Sequence, residues 1–169
     1  MKTYIAFLRG INVGGNSIIP MSELKAMCEE IGFAKVRTFI QSGNVVFESQ
    51  FTEVELVKQL EDVLFQKKQK HISLIIRNAE ELELVPQTNP YREAEPSKVA
   101  VLFFKDPVPT QLSDFKTTGP EIFEAHGREI FIHYPDGMGK SKLKLPKWAQ
   151  NGTARNINSV NKLVEMSRG

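Results

Sequence analysis

Two short strands and a turn are encoded by residues 35–49, which read KVRTFIQSGNVVFES. Residues 35–41 and 44–49 are rich in β-branched and aromatic side chains and alternate apolar with polar positions, which is typical of half-buried strands. Between them, Ser42-Gly43 has the length and composition of a two-residue hairpin turn. The stretch therefore predicts a β-hairpin.

This turn also predicts a register for the hairpin. It pairs Gln41 with Asn44 and places Arg37 opposite Glu48, which is an attractive cross-strand pair. It also puts one set of side chains on a common face of the hairpin, namely Val36, Thr38, Ile40, Val45 and Phe47.

The segments on either side of the hairpin complete a repeating unit. Upstream, residues 3–8 form an apolar run that predicts a strand, and residues 21–31 carry apolar side chains at helical spacing before Gly32, a helix C-cap. Downstream, a capping box that starts at Thr52 opens a second helix, and residues 71–77 predict another strand. The order β-α-β-β-α-β is that of the ferredoxin-like fold.

A second cycle follows with no visible sequence repetition. The predicted elements are a short helix between Asn78 and Pro90, a strand at 98–105, a helix at 109–117, a hairpin of 121–126 and 129–134 around Gly127, a short helix at 146–150 and a last helix at 156–166. We therefore expect an α+β protein of two consecutive ferredoxin-like (βαββα) subdomains, with antiparallel sheets and helices packed on one face. Their predicted bounds are 1–78 and 97–169, joined by a helix and linker at 79–96.

Composition narrows the class of protein. At 169 residues, with 41% hydrophobic and 25% charged residues, the chain has enough apolar side chains for a core, which argues against disorder. No apolar run approaches the ~20 residues of a membrane helix, and the run from Tyr4 to Leu8 is too short for a secretory signal. Cys28 is the only cysteine, so internal disulfides and cysteine metal clusters are excluded. We expect a cytoplasmic protein without a membrane partner.

Charge is distributed unevenly along the chain. From Gly137 to the end there are seven basic residues and one acidic residue, a formal charge of +6, and the whole chain carries +2, which leaves −4 for residues 1–136. A basic tail on a mildly acidic body suggests either an anionic partner or contact with the body itself.

Four motifs carry a resemblance that spans the chain. They are LRGINVGG at residues 8–15, QSGNVVF at 41–47, YPDGMGKSKL at 134–143 and GTARNINSVNKL at 152–163. In this order they closely resemble a bacterial family known as DUF1697, a domain of unknown function. The resemblance implies two ferredoxin-like subdomains, and it implies no activity, cofactor or catalytic residue. Ser159 departs mildly from the pattern, where threonine is expected.

The glycine-rich loop after the first strand is the main candidate binding site. Gly10, Gly14 and Gly15 miss the spacing of a dinucleotide fingerprint, but glycines here free backbone N–H groups to face a ligand. In a split βαβ unit the end of the first strand emerges beside the hairpin turn. The candidate ligand-binding residues at this edge are therefore Arg9, Asn12, Gly14, Gly15, Gln41, Ser42 and Asn44. They would suit a phosphate or a carboxylate, and the alternative is that the loop and Arg9 are purely structural.

A second candidate is the basic loop at residues 137–144. Gly139-Lys140-Ser141 resembles part of a phosphate-binding P-loop, but the required upstream glycine is replaced by Tyr134, so the pattern fails. Lys140 and Arg155 remain candidate anion ligands, and the alternative is a solvated basic loop. Asn156 more simply caps the last helix.

Candidate catalytic groups are few. No serine lies in a nucleophile elbow and no histidine has metal-ligand spacing, so the sequence predicts neither a metal nor a cofactor and leaves open whether the chain is an enzyme. The favoured hypothesis is a binding module for a small anionic ligand, as a monomer or a weak homodimer. The alternatives are RNA binding through the sheet and the basic C-terminal segment, and an enzyme that transfers or hydrolyses a phosphate or acyl group.

Overall fold

The structure, a computed structural model, describes residues 1–10, 19–39 and 43–169. It has the expected α+β class, with eight strands and four α-helices in the described residues. In chain order these are β1 (Lys2–Leu8), α1 (Met21–Ile31), β2 (Ala34–Phe39), β3 (Asn44–Ser49), α2 (Glu53–Lys68), β4 (Leu74–Asn78), α3 (Ala79–Thr88), β5 (Val99–Phe103), β6 (Ile122–His126), β7 (Glu129–His133), β8 (Thr153–Asn156) and α4 (Ile157–Arg168). Short 3-10 helices lie at Pro96–Lys98, Met138–Lys140 and Lys147–Asn151.

The first sheet has the strand order β2-β3-β1-β4 with every neighbouring pair antiparallel, which confirms the ferredoxin-like arrangement. Its core forms between one face of the sheet and helices α1 and α2. Gly32 ends α1 with a φ of +106°, a conformation in which only glycine avoids strain. The buried side chains of this core include Tyr4, Ala6, Leu8, Leu24, Met27, Val45, Phe47, Leu56, Leu60 and Ile76.

The predicted register of the β2–β3 hairpin is wrong by two residues. Phe39 pairs with Asn44 and Arg37 with Val46, and a bulge separates Ala34 from Arg37. A shift of two residues keeps every side chain on its original face, so the apolar pattern cannot distinguish the two registers.

Two side chains change partners as a result of this register. Lys35, not Arg37, forms the ion pair with Glu48, at 3.2 Å. Arg37 instead donates from Nη1 to the carbonyl of Met166 at 2.6 Å.

The second sheet repeats the topology of the first, with strand order β6-β7-β5-β8 and antiparallel neighbours. The predicted hairpin around Gly127 is confirmed as β6 and β7. One face of this sheet is covered by the two connections that follow β5 and β7. They contribute Phe104, Val108, Leu112, Phe115, Leu143, Leu145 and Trp148 to the core.

Two predictions for the second unit are wrong. Residues 109–117 form no helix; the segment is an irregular loop that Leu112 and Phe115 anchor to the core. Strand β8 was not predicted. Its four residues include Thr153 and Arg155 as the buried positions, so no apolar alternation marks it as a strand.

The chain divides into two compact units. The first contains Met1–Glu83 together with Leu163–Gly169, and the second contains Leu84–Lys162. Within the first unit, Arg168 forms an ion pair with Glu83 at 2.8 Å. None of the helices described here is both long and apolar enough to cross a membrane.

Candidate functional site

The end of β1 is held on both sides by backbone hydrogen bonds. The Leu8 N–H donates to the carbonyl of Gly43 at 2.9 Å, and the Arg9 N–H donates to the carbonyl of Ser73 at 2.9 Å. Gly10 follows with a φ of +69°. Arg9 is exposed. The chain therefore leaves the sheet at a fixed point, beside the residue that precedes β3, with a cationic side chain in contact with solvent.

Gly43 and Asn44 form the neighbouring part of this edge. Gly43 has a φ of +86°, in the left-handed region that favours glycine. Asn44 is fully buried, and its side-chain amide donates to the carbonyl of Phe39 at 3.0 Å. Asn44 thus closes the hairpin turn, and its side-chain N–H group is directed at the backbone.

The remaining residues predicted at this edge lie outside the described residues. They are Asn12, Gly14, Gly15, Gln41 and Ser42. Of the predicted site, the structure therefore brings together Arg9 and the turn residue Asn44 on adjacent strands.

Arg155 and Lys140 belong to the second unit and differ in environment. Arg155, on β8, is 9% exposed and donates from Nη1 to the carbonyl of Ala154 at 2.9 Å. Burial lowers the pKa of its guanidinium to about 10, so it remains charged at neutral pH. Lys140 ends a 3-10 turn and is exposed.

The loop that carries Lys140 is organised by Glu121, which the sequence analysis did not single out. The Glu121 carboxylate accepts from the Lys142 N–H at 2.6 Å, the Thr117 hydroxyl at 3.1 Å and the Ser141 hydroxyl at 3.3 Å. Desolvation by burial raises the pKa of Glu121, but these hydrogen bonds and one from its own backbone outweigh it, so the pKa lies below its usual value. An ionised Glu121 therefore fixes the backbone of Lys142 and the side chain of Ser141.

The same loop pairs with the segment before β6. Lys116 and Lys144 form an antiparallel bridge, with the Lys144 N–H 2.6 Å from the Lys116 carbonyl and the Lys116 N–H 3.1 Å from the Lys144 carbonyl. The lysine cluster, as we call it, consists of Lys116, Lys140, Lys142, Lys144 and Lys147, all exposed. The sequence analysis missed Lys116. Only the alternation of Lys142-Leu143-Lys144-Leu145, an extended pattern, signalled that this segment could pair.

The histidines and the cysteine offer little support for catalysis. His71 and His126 each lie beside an exposed or partly exposed glutamate, Glu61 and Glu124. Burial raises the pKa of the Cys28 thiol to about 12, so it is a poor nucleophile at neutral pH. Across the part of the chain that the structure describes, no three His, Cys, Asp or Glu side chains come together as a metal site.

The whole fold is similar to that of a solved structure. SP0830, a conserved bacterial protein from Streptococcus pneumoniae, matches with a TM-score of 0.78 and 20% sequence identity over 98% of each chain. At this identity the similarity shows a shared fold. No curated protein gives a significant match to the chain.

A comparison of the sequence with family models shows the family of this chain. The model of DUF1697, described as a protein of unknown function, matches residues 1–131, which include the glycine-rich loop, the first hairpin and strand β6. This agrees with the resemblance carried by the first two motifs, at residues 8–15 and 41–47; the other two motifs lie beyond the matched residues. The chain therefore belongs to the DUF1697 family.

Proposed function

We propose that this protein binds a small anionic ligand with a phosphate or carboxylate group at the end of β1, and that Arg9 supplies the positive charge. The observation that supports this most directly is the pair of backbone hydrogen bonds from Leu8 and Arg9 to Gly43 and Ser73. They fix the Arg9 backbone to two neighbouring strands while its side chain reaches solvent. A cation on a rigid sheet end is well placed to bind a ligand, because loops on a rigid scaffold carry function disproportionately.

The backbone at this edge favours the same proposal. Gly10 and Gly43 both adopt positive φ, which only glycine does without strain, and such conformations turn successive N–H groups toward an anion. Arginine presents a planar fork that binds a carboxylate or phosphate with two parallel hydrogen bonds. The arrangement is therefore better suited to an anion with two acceptor oxygens than to a neutral ligand.

The test compares Arg9→Lys with a matched control in a thermal-shift screen of inorganic phosphate, nucleotides and di- and tricarboxylates. A ligand at a hundred times its Kd stabilises the protein by about 2.7 kcal/mol, which corresponds to a rise in Tm of about 5–10 °C. We expect Arg9→Lys to reduce this rise and to leave the Tm without ligand unchanged, since lysine keeps the charge but loses the fork. Arg92→Lys is the control, because Arg92 is an exposed arginine of the second unit.

Two results contradict the proposal. One is the absence of any ligand that raises the Tm. The other is a loss of about 1–3 kcal/mol of stability in ligand-free Arg9→Lys, the cost of leaving buried acceptors unsatisfied, which would identify Arg9 as a structural clamp.

A further inference from the structure

The lysine cluster of the second unit is a second basic site, distinct from Arg9. At its centre Lys116 and Lys144 face each other across an antiparallel bridge, and opposed residues in such a bridge project to the same face. Lys142 lies two residues before Lys144 and so projects to that face as well. Leu143 and Leu145 alternate with the lysines and pack against the core. The face opposite the core therefore carries three ammonium groups on a two-stranded ribbon, with Lys140 and Lys147 beside it.

Within the described residues these positive charges have no carboxylate partner; the Lys116 ammonium donates only to the carbonyl of Ser113, at 2.8 Å. Lysines elsewhere in the chain, such as Lys35, Lys67 and Lys68, lie 3.2, 3.5 and 2.9 Å from carboxylates. Within the described residues, no carboxylate forms an ion pair with a member of the lysine cluster.

Glu121 and Asp114, whose hydrogen bonds reach residues of the loops that carry the cluster, use their carboxylates for other contacts. Glu121 accepts from the Lys142 N–H, and Asp114 accepts from the indole Nε1 of Trp148 at 2.7 Å. Like charges held opposite each other are destabilising. The loop nevertheless holds them together through its backbone hydrogen bonds, so a bound anion would relieve a repulsion that the fold maintains.

The layout of the cluster favours an extended anion over a compact one. Lys142 and Lys144 alternate along one extended segment, Lys116 lies opposite Lys144, and the 3-10 turns on either side carry Lys140 and Lys147. The charges are therefore spread along the segment, and such an array matches a chain of phosphates. Trp148 follows Lys147 directly and is half-buried, which leaves part of an indole for a base to stack on, as in single-strand-binding proteins. We propose that the lysine cluster binds the phosphate backbone of single-stranded nucleic acid.

The test measures binding of a fluorescein-labelled oligouridylate of about 12 nucleotides by anisotropy, at salt concentrations between about 50 and 200 mM. Each phosphate contact on a single strand contributes about −0.7 to the slope of log K against log salt. Three to five lysines therefore give an expected slope of about −2 to −3.5. Trp148, the only tryptophan of the chain, supplies a second readout, since stacking changes its emission.

Three variants make the result specific. The triple variant Lys116→Gln, Lys142→Gln, Lys144→Gln should bind at least about tenfold more weakly and have a slope shallower by about 2. The same three positions changed to arginine should retain the slope, which shows that charge and not folding is at issue. The control Lys2→Gln, Lys25→Gln, Lys70→Gln removes three equally exposed charges from the first unit and should bind as the wild type does.

Other outcomes overturn the proposal. They are the absence of oligouridylate binding, an equal loss in the control variant, or competition by inorganic tripolyphosphate at the same concentration of phosphate groups as the oligonucleotide. The last result would assign the cluster to a compact polyphosphate. None of these outcomes depends on Arg9, so the two proposals fail separately.

Discussion

Replacing Gly152 with alanine should destabilise the second unit, and the structure indicates by how much. A Cβ at Gly152 would lie 2.7 Å from Cζ and 2.9 Å from Cε1 of Phe104. Phe104 is only 7% exposed and its ring packs against Trp148 with centroids 5.8 Å apart, so the ring has little room to move away.

Two effects of opposite sign compete in Gly152→Ala. The φ of −72° and ψ of 155° at Gly152 suit alanine, so the loss of freedom in the unfolded chain would stabilise the protein by about 0.4–1 kcal/mol. Overpacking a closed core costs about 1–3 kcal/mol. The clash wins, and we expect a net loss of about 1–2 kcal/mol, or about 2–8 °C in Tm.

The matched control is Gly139→Ala, where a new Cβ meets nothing within 4 Å, so the entropic gain should appear alone and the Tm should rise slightly. Unfolding followed by the fluorescence emission of Trp148 reports on the second unit, which contains both glycines. Phe104→Leu should recover part of the loss in Gly152→Ala, because the leucine vacates the space of the ring. A Gly152→Ala protein as stable as Gly139→Ala, or a strictly additive double variant, would show that no clash with Phe104 exists.

Three further predictions concern charged groups and the thiol. Lys144→Gln should stabilise the protein by about 0.3–0.7 kcal/mol, as expected for two charges about 6 Å apart in water and screened at physiological salt. Denaturant titrations should show that Lys144→Gln no longer adds stability in a Lys116→Gln background. A gain in stability that persists in that background would contradict the prediction. Because folding lowers the pKa of Glu121, its stabilising effect should be complete above pH 4.5, the ordinary pKa of the group, and should fade as the pH falls below that value. Hydrogen exchange at residues 141–142 measures this effect. Exchange that does not depend on pH in this range, after correction for the intrinsic rate, would argue against it. Cys28 should resist thiol reagents near pH 8 in the native protein and react once it unfolds, since burial raises its pKa to about 12; rapid stoichiometric labelling of folded protein would disprove the assignment.

The first unit could be predicted almost completely from sequence because its elements have strong local signals. The helical spacing before Gly32 and the capping box at Thr52 each correspond to a helix boundary in the structure. The hairpin register could not be predicted, because the composition of Ser42-Gly43 favours a two-residue turn, whereas Phe39 pairs with Asn44 across four intervening residues. A shift of two residues leaves the apolar pattern of each face unchanged.

The second unit was harder to predict from sequence, because irregular segments cover one face of its sheet. Strand β8 is held by pairing with β5 and not by apolar residues of its own, so local pattern carries no trace of it. The two candidate binding sites also differ in how far the sequence could predict them. Arg9 was recognisable as the residue that follows a strand, whereas the pairing of Lys116 with Lys144 joins residues far apart in sequence. The role of Glu121 also could not be predicted from local sequence, since it depends on three hydrogen bonds from two separate segments.

The composition of the first unit has a consequence for how the protein is made on the ribosome. Because Leu163–Gly169 belong to the same unit as Met1–Glu83, the first unit stays incomplete until the whole of the second unit and residues 163–169 have been translated. The hydrogen bond from Arg37 to Met166 and the ion pair between Glu83 and Arg168 cannot form on a nascent chain while residues 166–168 are still in the exit tunnel. The second unit, which is continuous in sequence, has no such requirement. Emergence of residues 163–169 from the exit tunnel, after that of the second unit, then times the last step in the folding of the first unit.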